Sequence, residues 1–443
     1  MAANLYVHFP FCRSRCSYCS LYSRASSTTA ERERYIESIR VEVESLRVRL
    51  ESTLTDPNPT ITNPNRPYPT LTDNNPTLKT LYFGGGSPAL CDLSPLRVPL
   101  KQWKTGQTCF PLFEFTVELH PLDVTPAKLD ELKSIGVNRI SMGVQSLYVA
   151  TLSAMGRGYT ADVAARAFDL VKSRFDNAGI DLILGYPGDP TTKNAEALLA
   201  PLATWGLRHC SVYSLQNERG LKNVPDDDTV LDGIRSAARF LKSIGLERYE
   251  ISNYAAPGFE CRHNLAVWRG EDYIGLGEGA YGREGLKRTR GILQNSVNGD
   301  REEGRGKREE GKGKREEGRG KREEGKGKRE EGRGKREEGK GKRDENSLIA
   351  YKTIEVSPLE DLKERTLFRL RTRDGIDSSL FPEWRPTLDQ FVAEGLLTHT
   401  PLVGAHLRGA RGHLGEMPLP SENIYYLTER GTEVCDAILE ELV

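Results

Sequence analysis

The chain has 443 residues, 37% of them apolar, and equal numbers of acidic and basic side chains, 63 of each. No run approaches the roughly 18 apolar residues of a membrane span, no secretion leader is legible at the start, and eight cysteines over this length do not make a disulfide scaffold. A reducing cytoplasm is the expected compartment, and a body with no net basic charge offers no general attraction for nucleic acid or an anionic membrane.

In chain order, a β-prone run at Leu5–Phe9 leads into "FCRSRCSYCSLYS", which holds Cys12, Cys16 and Cys19. Further strand-like runs follow at Thr80–Phe83, Phe113–Glu118, Arg139–Met142, Gly179–Leu184 and His209–Tyr213. Between them lie helical patterns at Glu31–Leu50, Thr125–Ile135, Ala161–Phe175, Asn194–Trp205 and Val230–Ile244. Six βα units predict an α/β fold with a parallel sheet, a partial (β/α)6 version of the eight-fold barrel. The chemistry of such a fold gathers where its strands end. The cysteines follow the first run, "GGGSP" follows the second, Glu118 ends the third, Gln145 follows the fourth and Asp181 lies in the fifth.

Two segments interrupt the pattern. Residues 54–78 are rich in Pro, Asn and Thr and read as a surface insertion. Residues 301–342 are six copies of a heptad, REEGRGK alternating with REEGKGK, and hold 18 basic and 12 acidic residues. The rest of the chain therefore carries 45 basic against 51 acidic residues, a net of −6. With two glycines per period and no apolar side chain the heptad neither holds a helix nor buries a face, so a disordered insert is expected over 298–347. It is not a coiled coil, having no apolar a and d positions. A nucleic-acid-binding arm is the rival reading, weakened by the interleaved glutamates. Helical runs at Leu359–Arg371 and Leu388–Leu397, then a strand, turn and helix in "ENIYYLTERGTEVCDAILEELV", predict a small winged-helix-like α+β domain over 348–443. The barrel is expected over 1–230 and its extension over 231–297.

Three thiolates spaced x3 then x2 on one loop suit three corners of a [4Fe–4S] cubane and leave one iron open. The amino and carboxylate groups of S-adenosylmethionine (SAM) can chelate that iron. A zinc site would need a fourth ligand, for which His8 is at hand, but the spacing is not a usual zinc pattern. A redox pair at Cys16 and Cys19 would not open the expected βαβ unit. The glycines of "LYFGGGSP" let backbone groups approach a ligand closely. Glu118 could accept bonds from a ribose or an ammonium, its alternative being a strand-end charge facing solvent.

The motifs "YVHFPFCRSRCSYC", "LYFGGGSP", "FTVELHP", "GVNRISMGVQSL", "MGRGYT", "DLILGYPG" and "ERYEISNYAAPGFECRHNLAVWRGEDYIGLGEGAYG" occur in this order. Together they resemble radical SAM proteins related to oxygen-independent coproporphyrinogen III oxidase, and within that group the HemW branch of haem chaperones. The resemblance implies Cys12, Cys16 and Cys19 as cluster ligands, and Tyr6, Gly85 and Glu118 as contacts of the cluster-bound SAM. Tyr18, Gly86, Ser87, Gln145, Arg157 and Asp181 match positions that line a second SAM site in the oxidase, with Ser87 in place of the usual threonine. The oxidase carries a further cysteine two residues after the third ligand, where this chain has Leu21. "CRHNLAVW" resembles the HNxxYW signature of the chaperone branch, with Val267 in the tyrosine's place. His263 is the expected haem ligand, Cys261 an alternative, and a satisfied histidine beside a buried thiol the plain reading of both. Trp268 either stacks on a porphyrin or fills the core. Cys91, Cys109, Cys210 and Cys435 read as structural.

The expected function is a haem chaperone that holds a [4Fe–4S] cluster, SAM and haem and passes haem to an acceptor such as a membrane respiratory enzyme. Its expected partners include a reductant for the cluster and a second copy of itself, and no nucleic acid. The rival is the oxidative decarboxylation of coproporphyrinogen III.

Overall fold

The computed structural model describes residues 3–52, 78–105, 114–293, 349–401 and 423–428, together with Cys435 and Leu442. The insertion over 54–77, the heptads, Cys109 and most of the C-terminal turn and helix lie outside the described residues.

The chain opens with β1 (Ala3–Phe9). Two short strands, β2 (Phe11–Cys12) and β3 (Arg24–Ala25), pair in parallel across the cysteine loop, and α1 (Thr29–Ser52) follows. β4 (Leu78–Gly85) is followed by α2 (Arg97–Thr105), and β5 (Glu114–Leu119) by α3 (Pro126–Ile135). β6 (Arg139–Gln145) precedes α4 (Val149–Ala154) and α5 (Ala161–Lys172). β7 (Asn177–Leu184) leads to α6 (Ala195–Leu199), and β8 (His209–Ser214) to α7 (Asp227–Ser243). The predicted helix over Asn194–Trp205 stops early. Pro201 removes a backbone donor, and the chain tightens to a 3-10 turn over Ala200–Thr204. α7 starts earlier than its apolar pattern, because the Asp226 carboxylate accepts from the Thr229 amide at 2.7 Å and caps it.

The six strands β1, β4, β5, β6, β7 and β8 lie side by side in that order, all parallel. Side-chain alternation splits each into two sets. Leu5, Val7, Phe9, Leu81, Phe83, Phe115, Val117, Ile140, Met142, Ile180, Leu182, Cys210 and Val212 are buried in the core. Each large member gives roughly 1.5–3 kcal/mol on burial. The other set, which includes Tyr6, His8, Tyr82, Gly84, Glu118, Ser141 and Asp181, faces the barrel interior.

After α7 the pattern changes. β9 (Glu247–Arg248) and β10 (Asn253–Ala255) add antiparallel to the β8 edge. α8 (Arg262–Trp268) crosses to the starts of β4 and β5, and β11 (Tyr273–Leu276) returns to pair in parallel with β1. β12 (Tyr281–Glu284), β13 (Lys287–Leu293) and β14 (Ile349–Glu355) continue that edge antiparallel. The resulting 12-stranded sheet has two separate ends, so the barrel is partial, as the six units predict.

A second core forms from α9 (Pro358–Leu370), β15 (Ile376–Asp377), α10 (Arg385–Ala393), β16 (Leu397–Pro401) and β17 (Asn423–Leu427). Its three strands are antiparallel, and Leu370, Ile376, Trp384, Leu388, Phe391 and Tyr425 pack together under them. α10 ends before its predicted limit, since Gly395 takes the left-handed conformation (φ 73°) that turns the chain into β16. The two cores meet at α8 and α9. The Trp268 ring stands edge-on to Phe368 at 5.7 Å with the Arg371 guanidinium 5.0 Å from it. Trp268 therefore fills the junction between the cores.

Candidate functional site

The cysteine loop begins where β1 ends. Cys12, Cys16 and Cys19 are free and partly buried. Burial pushes the Cys12 thiol up to about 11, and Cys19 and Cys16 add to the shift, so the three sulfurs lie within electrostatic reach of one another. Among the described residues, no three His, Cys, Asp or Glu side chains converge closely enough to hold a single metal ion. A cubane asks for no such convergence, because each thiolate binds a different iron.

The loop is clasped on three sides. On the first, the Gly86 amide donates to Phe9 O and the Ser87 amide to Phe11 O, each at 2.6 Å. A Cβ at Gly86 would come within 2.3 Å of Phe11 O, so only glycine lets the two loops approach this closely. The Ser87 hydroxyl donates to Asp123 at 2.5 Å, and Asp123 also takes the Arg13 guanidinium from the cysteine loop. On the second side, the Ser17 amide donates to Met155 O at 3.2 Å, and the Ser17 hydroxyl bonds Ala154 O at 3.1 Å and Tyr186 at 2.9 Å. Arg157 donates to Tyr18 at 3.2 Å and to the Cys16 sulfur at 3.7 Å. On the third, the Glu278 carboxylate accepts from Tyr22 and from Arg24, the latter at 2.5 Å. Glu278 is only 3% exposed, and a Cβ at neighbouring Gly279 would strike the Tyr22 ring.

Facing the loop across the barrel mouth is a cradle built by β4 and β5. Glu118 is partly buried and does not lie on the outer surface. It points inward, accepting from the Tyr82 hydroxyl at 2.8 Å and the Gly85 amide at 3.1 Å. Burial, then the nearby Asp181 charge, lifts its carboxyl to about 7. Gly85 is left-handed (φ 101°), and a Cβ there would meet the His8 ring at 2.5 Å; one at Gly84 would meet Glu118 at 2.9 Å. The Tyr6 hydroxyl bonds His8 Nδ1 at 3.0 Å. Asp181 accepts from Ser141 at 3.0 and 3.1 Å. Gln145 is the strained residue of the site, left-handed at φ 70° after a register shift in β6, with its amide turned back over Gly143. Tyr6, Gly85, Glu118 and Asp181 thus converge on the barrel mouth, with Tyr18, Gly86, Ser87 and Arg157 in the clasp of the loop itself. Narrow glycine-lined backbone next to a carboxylate fits the ammonium and hydroxyl groups of SAM beside a three-thiolate cluster.

The expected haem ligand lies elsewhere. His263 is 5% exposed on α8 at the strand-start end of the barrel. Its Nδ1 bonds Thr80 at 2.9 Å, its ring packs 5.1 Å from Tyr82, and burial holds it down to about 3. The Glu114 carboxylate caps α8, accepting from the amides of Arg262 and His263 at 2.9 and 3.0 Å and from the Cys261 thiol at 3.4 Å. Burial keeps that thiol protonated. His263 and Cys261 therefore sit in the barrel floor, the imidazole held through its Nδ1 by Thr80 and the thiol kept protonated by burial. Asp123, Glu278 and Glu114 were not predicted. Glu114 sits inside a predicted strand, Glu278 inside a quoted motif and Asp123 two residues beyond one, and a lone acid in such a run gives no sign of which way it points.

The radical SAM superfamily profile matches residues 71–196. The HemW haem chaperone of Lactococcus lactis is 31% identical over 290 residues, which cover 63% of this chain and 69% of that protein. The chain belongs to the HemW family. Its HemW relative from Mycobacterium tuberculosis is 29% identical over 298 residues, 64% of this chain and 70% of the relative. A mitochondrial radical SAM domain-containing protein 1 from Danio rerio is 29% identical over 295 residues, 63% and 60% of the two chains. Among solved structures, the Escherichia coli radical SAM enzyme coproporphyrinogen III oxidase superposes with a TM-score of 0.65 at 15% identity, covering all of this chain and 89% of that one. HemW membership and this shared fold imply a [4Fe–4S] cluster and SAM, which the thiol loop and glycine cradle fit. Among the described residues no helix is long and apolar enough to cross a membrane.

Proposed function

We propose that this chain is a cytoplasmic haem chaperone that holds haem and delivers it to an acceptor protein, a membrane-bound respiratory enzyme being the fitting class. The observation that carries the reading is the barrel mouth of a HemW-family chain, where three thiols on one clasped loop face the Gly85–Glu118 cradle. A [4Fe–4S] cluster bound by Cys12, Cys16 and Cys19 supplies one open iron for the amino and carboxylate groups of SAM. Glu118 and the Gly85 backbone orient the SAM polar groups, and Tyr6, held through His8, closes the cradle from below. Leu21, 53% exposed beside the loop, stands where the oxidase has its further cysteine, which favours chaperone over oxidase.

Haem titrated into cluster-reconstituted protein is expected to shift the Soret band, and transfer to an apo-acceptor to move it again. No Soret shift would sink the chaperone reading. Growth of a strain lacking the oxidase on this protein alone would replace it with the decarboxylase.

A further inference from the structure

Arg157 carries more contacts than any expected role accounts for. It is 8% exposed, at the end of the short segment that follows α4. Its Nε donates to Tyr159 at 2.9 Å, its Nη2 to Gly143 O, and its Nη1 to the Tyr18 hydroxyl at 3.2 Å and the Cys16 sulfur at 3.7 Å. Its guanidinium carbon also lies 5.5 Å from the Tyr159 ring centre. All three nitrogens of the planar fork thus have protein acceptors, and the fork is fixed in place from both sides.

The anchoring is itself anchored. Tyr159 donates to Val144 O at 2.8 Å, which ties it to the end of β6. The Ser14 hydroxyl donates to Gly156 O at 3.3 Å, and Ser17 is held by Ala154 and Met155, so residues 14–18 run directly over 154–157. A buried guanidinium with its acceptors already chosen has little left for the carboxylate of a second SAM. What it does hold is the sulfur of a cluster cysteine. A cationic N–H donor at a thiolate withdraws charge from it and favours the electron-rich state of the iron bound there.

We propose that Arg157 is a positioning residue that fixes the cysteine loop and, by donating to the Cys16 sulfur, raises the reduction potential of the cluster, instead of binding a second SAM. This rests on Cys12, Cys16 and Cys19 holding a [4Fe–4S] cluster.

The test uses the anaerobically reconstituted full chain as wild type, R157Q, R157K and Y18F. Iron and sulfide content, the potential from an EPR-monitored redox titration, and SAM stoichiometry from equilibrium dialysis are measured on each. Wild type is expected to bind one SAM per chain. R157Q is expected to bind SAM with unchanged stoichiometry and to be at least tenfold harder to reduce, about 59 mV for one electron. R157K should shift the same way by less, since a point charge cannot hold the fork geometry, and Y18F should shift by less than R157Q, because it removes the hydroxyl's contact with Cys16 but keeps the Arg157 bond to sulfur. If R157Q loses its cluster, R157K decides. An unchanged potential in a loaded Arg157 variant would overturn the proposal, as would two SAM in wild type falling to one in R157Q or R157K. A wild type without iron and sulfide would instead contradict the cluster reading beneath it.

Discussion

The Ser87 hydroxyl donates to the Asp123 carboxylate at 2.5 Å, and through this bond the glycine loop after β4 is locked to the turn that follows β5. Asp123 is buried, and its other oxygen takes Arg13, from between the first two cysteines. Asp123→Ala would leave the buried Ser87 hydroxyl without its acceptor and the half-exposed Arg13 with Leu122 O alone. It is expected to cost about 1–3 kcal/mol and to lower the iron retained after desalting. Ser87→Thr keeps the hydroxyl and should change stability by less than about 1 kcal/mol. Denaturant melts and iron assays on both variants check this; equal losses in the two would show that the hydroxyl is not the operative group.

Gly86→Ala tests the same junction sterically. The new Cβ would sit 2.3 Å from the Phe11 carbonyl oxygen, a backbone atom with nowhere to go. A loss of about 1–3 kcal/mol is expected, with reduced cluster loading. A variant as stable and as well loaded as wild type would mean that the two loops stand further apart than described.

Glu118 gives the cluster-free protein a pH dependence whose sign is fixed. Burial and Asp181 raise its carboxyl from an ordinary 4.5 to about 7, so the folded state holds this proton more tightly than the unfolded chain. Stability is therefore fullest below about pH 4.5 and falls as pH rises through 7. Glu250, also lifted to about 7 by burial, acts in the same window. Melting midpoints between pH 5 and 8 should fall less in Glu118→Gln than in wild type, and least in the double variant with Glu250→Gln. An equally steep fall in all three would contradict the assignment.

His263 is expected to behave as a floor residue. His263→Ala removes the Thr80 bond and opens a cavity beside Tyr82, which should cost about 2–4 kcal/mol. The Soret maximum of haem bound to the folded variant should stay where wild type has it. A lost or displaced Soret band in folded His263→Ala protein would assign the ligand role to this imidazole.

The repeat offers a test of folding logic. Leu293, the last residue of β13, pairs with Ile349, the first of β14, so the intervening 294–348 leave and rejoin the sheet at adjacent positions. Replacing the heptads with a short hairpin turn should be tolerated and should add up to about 2 kcal/mol from the lower cost of closing a shorter loop. Insoluble protein or loss of iron on excision would give the repeat a structural part.

Much of this architecture was legible beforehand because period and spacing report on it directly. Six alternating runs placed six parallel strands, and x3-x2 spacing with "GGGSP" and Glu118 marked the barrel mouth. What escaped depends on direction and distance. Glu278 lies 254 residues from its partner Arg24, and nothing in "GLGEG" says that this acid turns under the cysteine loop. The short strands after α7 carry too few residues to show a period, and α8 is a seven-residue helix whose start is fixed by Glu114 from another strand. The setting of His263 escaped for the same reason: the motif gives its identity, while enclosure by Thr80 and Tyr82 is a property of the packed barrel.

The most direct test is iron and acid-labile sulfide analysis of anaerobically purified protein, alongside variants with Cys12, Cys16 or Cys19 changed to alanine. The account predicts about four irons and four sulfides per wild-type chain and a marked loss with each substitution. Zinc in place of iron, or cysteine variants that retain the wild-type metal content, would contradict it.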